Sequence, residues 1–400
     1  MPSLPTLPDG SGKFSLTLHA AIAEIAAEDW NLCAESEDNP FIGHAFLSAL
    51  EDSGAVGRRT GWHARHAALR DGDGRLAAVA PMYVKSHSYG EYVFDHAWAD
   101  AFERAGGRYY PKLQVAVPFS PVPGPRLLIR PGAGVTAAIF GRALAETCAR
   151  LDLSSVHVTF CTEPEWQALG AAGWLRRQGL QFHWHNAGYG DFEDFLASLS
   201  SRKRKTIRRE RREVAAQGLA LHTLEGAAIT ERHWDAFYRF YLATVERKWG
   251  GAYLPRRFFS LLAARLGDRV VLMIAEKDGK AVAGALNLRG RTTLYGRNWG
   301  AIGDWPFLHF ELCYYRAIDY AIAHKLARVE AGAQGEHKLA RGYLPAPTYS
   351  AHWIAHAGLR RAVGDFLEAE RLAIAAREAD LRAFTPFRND TDDAEETKTP

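Results

Sequence analysis

The same order of predicted elements occurs twice along the chain, and this repetition limits the folds that the chain can adopt. Each half begins with an aromatic residue followed by a helix with apolar residues at helical spacing, at 39–53 and at 253–268. Two apolar runs joined by Asp-Gly come next, at 65–84 and at 269–288. Because Asp-Gly between such runs is a strong hairpin signal, we expect a pair of antiparallel strands in each half.

Later in each half, the pattern predicts a helix, a strand and then a short amphipathic helix. These segments are 136–150, 154–161 and 163–173 in the first half, and 306–325, 327–332 and 336–343 in the second, which a strand at 348–355 closes. A meander followed by strand, crossover helix and strand gives an antiparallel sheet that turns parallel at one position. We therefore predict the α+β class, with tandem GNAT-like (acyl-CoA N-acyltransferase) domains, each a mixed, mostly antiparallel sheet flanked by helices.

The length of 400 residues favours two domains, since single cores stop growing near about 250–300 residues. We expect a first, degenerate domain over 15–190 and a second over 191–385 that holds the active site. Polar and Pro- or acid-rich ends predict a flexible N-terminus at 1–14 and a flexible acidic tail at 386–400. With 47% hydrophobic and 24% charged residues, the composition excludes a disordered or fibrous protein.

Cysteine spacing and hydropathy exclude further classes. The 4 cysteines include no CxxC pair, so neither a disulfide framework nor a zinc knuckle is predicted. The N-terminus lacks the cationic and apolar regions of a signal peptide, and no apolar run approaches the roughly 20 residues that span a bilayer. We predict a cytoplasmic protein without a membrane span.

Polar side chains follow the two strands that should run parallel in the second half. Ligands bind beyond the carboxyl ends of such strands, and the glycines there let backbone approach a phosphate or a developing oxyanion. The first exit, after 292–298, carries Arg297, Asn298, Trp299, His309 and Glu311. The second exit, after 327–332, carries Gln334, Glu336, His337, Lys338, Arg341 and Tyr343.

Transfer of an acyl group to an amine needs a base and groups that bind the carbonyl oxygen. The candidate catalytic bases are Glu336, His337, Glu311 and His309, and the sequence leaves the choice among them open. Glu336 is equally suited to stabilise a helix start, whatever the function. His309 and Glu311 lie only two residues apart on a predicted helix and no HExxH occurs, so no metal site is predicted.

A cationic segment at 202–212 holds eight Lys or Arg and one Glu, although the whole chain carries only +3. Read as a helix from 202 to 216, it places six cations within about 160° of arc, opposite Ile207 and Val214. These cations are Arg204, Lys205, Arg208, Arg209, Arg211 and Arg212. We expect Arg204, Lys205, Arg208 and Arg211 to bind a phosphate-bearing substrate or tRNA, with a solvated surface helix as the alternative. Trp249, beside two glycines, is predicted to form a lip over the site.

The runs SRKRKTIRRERREVAAQGL, YGRNWG and EAGAQGEHKLARGY resemble the FemAB-like (peptidoglycan biosynthesis/recognition) family of the GNAT acyltransferase superfamily. The resemblance implies two GNAT-like units, one of them active, and transfer of an acyl or aminoacyl group to an amine of a cell-wall precursor. The implied donor is acyl-CoA or aminoacyl-tRNA, and no cofactor is required. The Q/RxxGxG/A pattern of acetyl-CoA enzymes is absent after Asn298, which disfavours that donor.

Two alternatives from other classes remain open at this point. The first alternative is a non-catalytic module that recognises RNA or a phosphate-bearing precursor through its cationic helix. The second alternative is a CoA-dependent GNAT N-acetyltransferase. The oligomeric state does not follow from the sequence.

Overall fold

The computed structural model describes residues 14–34, 39–248, 251–332 and 335–388, with only the backbone of 247 and 248. These residues form two compact units. Among them, the first unit comprises 14–179, 253–258 and 347–375, and the second comprises 180–248, 251–252, 259–332, 335–346 and 376–388. The domain limits of 15–190 and 191–385, and the degeneracy of the first domain, stay predictions.

Strands and helices alternate along most of the described chain. The strands are β1 (Ser15–His19), β2 (Trp62–Ala64), β3 (His66–Arg70), β4 (Leu76–Ala80), β5 (Met82–Lys85), β6 (Lys112–Val115), β7 (Leu128–Ile129), β8 (Ser155–Cys161), β9 (Leu175–His185), β10 (Ala220–Glu225), β11 (Val270–Lys277), β12 (Lys280–Arg289), β13 (Thr293–Ala301), β14 (Arg328–Glu330) and β15 (Leu344–Ile354). The α-helices are α1 (Ala27–Ala34), α2 (His44–Asp52), α3 (His96–Arg104), α4 (Ala137–Arg150), α5 (Glu163–Ala171), α6 (Phe192–Ala197), α7 (Ser201–Ala216), α8 (Glu231–Lys248), α9 (Arg256–Leu266), α10 (Leu308–Phe310), α11 (Arg316–Ala323) and α12 (Ala357–Ala383). A π-helix covers Glu311–Tyr315, and 3₁₀ helices cover Ile22–Glu24, Pro40–Ile42, Arg58–Thr60, Gly226–Ala228, Gly267–Arg269 and Glu336–Arg341.

The first unit contains two sheets. One has the strand order β1-β3-β4-β7 and is antiparallel throughout. The other has the order β15-β8-β6-β5-β2 and is antiparallel except for the parallel pair β6 and β8. The predicted Asp-Gly turn joins β3 and β4, where Asp71 Oδ1 accepts hydrogen bonds from the backbone N–H of Asp73 and Arg75.

The second unit has one sheet of order β10-β11-β12-β13-β14-β9 among its described residues. All neighbours are antiparallel except β13 and β14, which run parallel. Asp278 and Gly279, with φ of 50° and 72°, form the turn between β11 and β12. Positive φ at both positions is the geometry that Asp-Gly favours, so the predicted hairpin is confirmed.

The predicted fold class is confirmed: both units are mixed, mostly antiparallel sheets with helices packed on them. Two predicted helices are present but differ from the prediction in their bounds and in their helix type. The helix expected over 306–325 begins only at Leu308, because Phe307 takes a left-handed φ of 61°, and the π-helix interrupts it. The segment expected as an amphipathic helix at 336–343 is the 3₁₀ helix Glu336–Arg341, which ends at Gly342 with a φ of 87°. Within the described part of the chain, no helix is long and apolar enough to cross a membrane.

Candidate functional site

The sheet of the second unit opens between its two parallel strands. Thr293, Leu294 and Tyr295 of β13 pair with β14, which ends at Glu330, whereas β13 continues to Ala301. On the other side of β13, the register with β12 shifts, so that Arg297 is the extra residue of a β-bulge. A Cβ added to Gly296 would lie 3.3 Å from the Glu330 carbonyl oxygen, which explains the glycine at the opening. This opening is the strand exit predicted from the sequence.

Aromatic and histidine side chains gather beside this opening, and we call Trp299, His309, Phe310, Tyr314 and His337 the His-aromatic cluster. The His309 ring lies 5.3 Å from the rings of Trp299 and Tyr314, and 6.3 Å from the His337 ring. The Tyr314 hydroxyl lies 2.9 Å from His337 Nε2. His337 is exposed, His309 and Trp299 are half-buried, and Tyr314 is buried. The structure thus brings together three residues predicted from the sequence.

Arg341 connects this cluster to α7. Its Nη2 lies 2.9 Å from Glu210 Oε1, its Nε donates to the Tyr315 hydroxyl at 3.0 Å, and its Nη1 donates to the His337 carbonyl at 2.8 Å. The guanidinium also lies 3.5 Å from the centroid of the Phe310 ring. These four contacts with protein groups hold the Arg341 guanidinium in place. Its predicted contact with substrate stays a prediction.

Lys338 and Tyr343 are buried behind the cluster. Lys338 is 1% exposed, its Nζ donates to the Gly332 carbonyl at 2.9 Å, and burial lowers its pKa to about 8. The Tyr343 ring packs at 5.5 Å from the Tyr314 ring. Lys338 places a cation beside the cluster, whereas Tyr343 fixes the position of Tyr314 by packing.

The two candidate glutamates have ion-pair partners. Glu311 is buried with its Oε1 3.1 Å from Arg211 Nη2, and the same nitrogen lies 2.8 Å from Asp319 Oδ2. Burial raises the pKa of Glu311 despite this ion pair, and its buried Oε2 has no hydrogen-bond partner among the residues that the structure describes. Glu336 is exposed and pairs with Arg377. Neither ion pair involves a residue of the His-aromatic cluster, and the roles of the two glutamates as bases stay predictions.

The predicted cationic helix is confirmed as α7, but the projection misplaced Arg211. Arg211 is half-buried because Glu311 and Asp319, about one hundred positions later, supply carboxylates on the inner side of the helix. Glu210 joins Ile207 and Val214 in the buried stripe. Arg204 is half-buried, while Lys205, Arg208, Arg209 and Arg212 are exposed; Arg208 pairs with Glu193, and Arg209 Nε lies 3.6 Å from Glu213.

The remaining predicted site residues divide into two groups. Arg297 and Asn298 are half-buried on β13, where Asn298 faces Leu286 in the register. Trp249 and Gln334 lie outside the described residues. Among the side chains that the structure describes, no group of three or more His, Cys, Asp or Glu is arranged to hold a metal ion.

Sequence reasoning missed Glu210, Phe310, Tyr314 and Tyr315. Glu210 carried a signal, since it is the one acid among the eight cations of 202–212. A single acid in such a basic helix is consistent with a buried helix face that contacts a cation, which here is Arg341. The tyrosines lie in the π-helix, which turns Tyr314 toward His337 and Tyr315 toward Glu210.

Each unit has a mostly antiparallel sheet with one parallel pair of strands, and a helix lies between the two parallel strands in the chain. This is the tandem GNAT-like layout predicted from the sequence. The chain belongs to the FemAB-like family, described as peptidoglycan biosynthesis/recognition, whose model matches residues 21–389. The resemblance inferred from the sequence motifs is thereby confirmed.

Solved structures agree on the fold. FemX is 11% identical, with a TM-score of 0.52 over 85% of this chain and 98% of that chain. L-PGS from Bacillus licheniformis is 10% identical, with a TM-score of 0.50 over 83% of this chain and 98% of that chain. At such low identity, the likeness shows the fold alone. A comparison with curated proteins finds no match.

Proposed function

We propose that the protein is an N-acyltransferase or aminoacyltransferase that moves an acyl or aminoacyl group to an amine of a cell-wall precursor. The family description supports the class of acceptor. The observation that carries the proposal is the position of His337, exposed at the opening of the sheet with its Nε2 2.9 Å from the Tyr314 hydroxyl.

An amine attacks an ester or thioester carbonyl only after it has lost its extra proton, so the site needs a base. His337 is suited to this step because histidine is the commonest general base in enzymes and this side chain is exposed. Tyr314 orients the ring through the hydroxyl contact. His309 lines the same cluster and stays the second candidate for the base.

The carbonyl oxygen gains negative charge when the amine attacks. Backbone groups of β13 beyond Tyr295, where pairing with β14 stops, lie at the opening and are suited to bind the acyl carbonyl. Lys338, which follows His337 in the 3₁₀ helix, carries positive charge, since a pKa of about 8 leaves most of its ammonium protonated at neutral pH. Acyl-CoA and aminoacyl-tRNA both remain donors under this proposal. As the amide bond forms, the thioester or ester bond of the donor breaks, and the CoA thiol or tRNA hydroxyl leaves with the proton that the base took from the amine.

The test is transfer of a labelled acyl or aminoacyl group from each donor to a nucleotide-linked muropeptide, followed by mass spectrometry. We expect His337→Ala to lower the rate by about 10²–10⁴-fold, the usual contribution of a general base. His324→Ala, which removes another exposed histidine of the same unit, should leave the rate unchanged. Undiminished transfer by His337→Ala would show that the base is elsewhere, and Glu336→Ala would then be the next variant to assay.

We further propose that α7 binds the phosphate groups of the substrate, because Lys205, Arg208, Arg209 and Arg212 are exposed on it. Lys205→Glu and Arg212→Glu should raise the KM for the phosphate-bearing substrate and reduce its dependence on salt. Salt-dependent precursor binding by the wild-type chain, with no donor consumed, would instead identify a non-catalytic binding module.

A further inference from the structure

The sheet of the second unit has two different faces at its opening. On one face, Val329 belongs to the hydrophobic core, and Trp299 of the His-aromatic cluster lies on this face because it pairs with the core residue Ala285. Gly284 faces the other side, where a Cβ added to it would lie 3.0 Å from the Phe237 ring of α8. We call this second side the α8 face. Groups on both faces meet where β14 ends.

A buried carboxyl group lies on the α8 face at the end of β14. Glu330 is the last residue of β14, and it pairs with Tyr295, the last residue of β13 that pairs with β14. Successive residues of a strand alternate between the faces of a sheet, so Glu330 lies on the face opposite Val329. Glu330 is 3% exposed. It therefore holds a buried acid where the two parallel strands separate.

One oxygen of this carboxyl group lacks a hydrogen-bond partner in the described part of the chain. Glu330 Oε1 lies 3.1 Å from Arg328 Nη2, whereas the buried Oε2 contacts no donor among the described residues. Glu210, the buried carboxylate of α7, differs because both of its oxygens accept from Arg341. A buried polar atom without a partner costs stability, so the bare Oε2 calls for a functional explanation.

The neighbours of Glu330 supply too little positive charge for a carboxylate. Burial outweighs the nearby Arg328 and raises the pKa of Glu330 to about 7. His183 lies directly opposite Glu330 on β9 and adds no charge, because burial lowers its pKa to about 3. On the other side, the register places the phenol of Tyr295. A second cation at Oε2 stabilises the charged form, and the site therefore favours a cationic ligand.

The free oxygen also limits the kind of cation. Calcium and magnesium ions take about six oxygen ligands, and the described side chains include no group of three or more His, Cys, Asp or Glu that could hold a metal. A guanidinium group binds best to both oxygens of a carboxylate, but Oε1 of Glu330 already faces Arg328. An ammonium group donates single hydrogen bonds and fits one free oxygen. Asn298, half-buried and paired with Leu286, adds an amide oxygen to the α8 face.

We infer that Glu330 binds the ammonium group of a primary amine on the α8 face of the opening, with Oε2 as the hydrogen-bond acceptor. The bound ammonium keeps Glu330 charged, so the neutral fraction of the carboxyl group loses its proton to the solvent on binding. That this amine is the acceptor of the transferred group rests on the proposed function, in which the base then removes a proton from the held ammonium. Binding of the ammonium group rests on the position of Glu330 alone.

The experiment is titration of the full chain with 6-aminohexanamide, a thin primary amine, and with hexanamide, which differs only in lacking the amine. We expect the amine to bind at least about tenfold more tightly in an NMR titration, the usual value of a hydrogen bond to a charged group. Calorimetry at pH 6 in two buffers of different ionisation enthalpy should show proton release, because Glu330 is mostly neutral below its pKa of about 7. Glu330→Gln should remove both effects. Glu276→Gln, which changes a half-buried glutamate of β11, should keep both.

Further arms separate this inference from the proposed function. His337→Ala should bind 6-aminohexanamide like the wild type, so a failure of transfer with amine binding intact counts against the proposed function alone. Proton release by the wild-type chain tests the inference even if Glu330→Gln does not fold. The inference is overturned if the wild-type chain does not distinguish the two amides, if Glu330→Gln keeps the preference, or if amine binding at pH 6 releases no proton.

Discussion

Arg341 and Glu210 form a buried ion pair, with Arg341 Nη2 2.9 Å from one carboxylate oxygen of Glu210 and 3.0 Å from the other. The Tyr315 hydroxyl donates to the same carboxylate. This pair joins the inner edge of the cationic helix to the 3₁₀ helix that carries His337. The position of the proposed base thus depends on a buried ion pair made by a residue of its own 3₁₀ helix.

Removal of one partner of this pair should be costly. We expect Arg341→Met to lower the free energy of unfolding by about 3–5 kcal/mol, because Glu210 is left charged in a buried site. The double variant Arg341→Met with Glu210→Leu should recover much of that loss, since no unpaired charge remains. Urea denaturation measures both, and equal stability of the single and double variants would contradict this account.

The hydroxyl of Tyr314 should matter for transfer more than for folding. Tyr314→Phe keeps the buried ring and removes only the group that lies 2.9 Å from His337 Nε2. We expect transfer to fall by roughly 10–100-fold as His337 loses its orientation, with a stability change within about 1.5 kcal/mol, the value of one hydrogen bond. Tyr320→Phe is the matched control, because it removes a hydroxyl that accepts from Arg289 Nη1 at 3.0 Å and not one that contacts the His-aromatic cluster. Equal rates for the two variants would remove Tyr314 from the mechanism.

Two lysines of the first unit, Lys85 and Lys112, lie directly opposite each other on β5 and β6 and should differ in their contribution to stability. Against the effect of burial, Glu91 and Asp95 raise the pKa of Lys112, whereas burial lowers the pKa of Lys85 to about 7. Lys112 Nζ donates to Glu91 Oε2 at 2.8 Å and to Asp95 Oδ2 at 2.5 Å. Burial raises the pKa of Glu91 to about 7, so Lys112→Met chiefly leaves the buried Asp95 carboxylate without a cation and should cost about 3–5 kcal/mol. Lys85→Met should cost clearly less, since much of Lys85 is already neutral at pH 7. The denaturation midpoints at pH 7 test this order, and the reverse order would refute it.

Two buried histidines should make the first unit sensitive to acid. His157 Nδ1 lies 2.7 Å from His352 Nδ1, and burial lowers the pKa of both rings, that of His157 to about 3 from 6.5. The unfolded chain therefore binds more protons than the folded chain between pH 6.5 and 3, and stability falls as pH decreases through that range. His352→Gln should reduce the fall in thermal midpoint between pH 7.5 and 5. An identical fall in variant and wild type would show that other groups control it.

Lys338 should give a pH dependence of the same sign, but in the alkaline range. Its pKa of about 8 lies below the ordinary 10.5, so the unfolded chain binds the extra proton between these values. Stability relative to Lys338→Met should therefore rise as pH increases from 8 to 10.5. Urea denaturation of both proteins at pH 7.5 and 9.5 measures the difference. A difference that does not change with pH would mean that Lys338 titrates normally.

Local sequence chemistry predicted the elements that depend on a few adjacent residues. Asp278 and Gly279 specify their turn because both adopt the positive φ that it requires, whatever packs nearby. The helix α7 follows similarly from its buried Ile207 and Val214. The strand exits were found for the same reason, since alternation and glycine spacing are read directly from the chain.

The contacts of the site depended on segments far apart in sequence. In the sequence, Arg211 cannot be distinguished from the exposed cations beside it. It is half-buried in the structure, where it forms ion pairs with Glu311 and Asp319. The π-helix could not be read from Glu311–Tyr315 because apolar spacing there fits an α-helix equally well. The wider turn of the π-helix determines the direction of the Tyr314 side chain, and therefore which histidine the Tyr314 hydroxyl contacts.

The inner edge of α7 is fixed by Glu210 and Arg211, while Lys205 and Arg212 project from the same helix into water. Under the proposed function, stability and anion affinity therefore depend on different residues of one helix. Substitutions at 205 or 212 can change which charged partner is favoured without disturbing the fold. Such a separation leaves the ligand preference of this surface free to diverge among related proteins while His337 keeps its place.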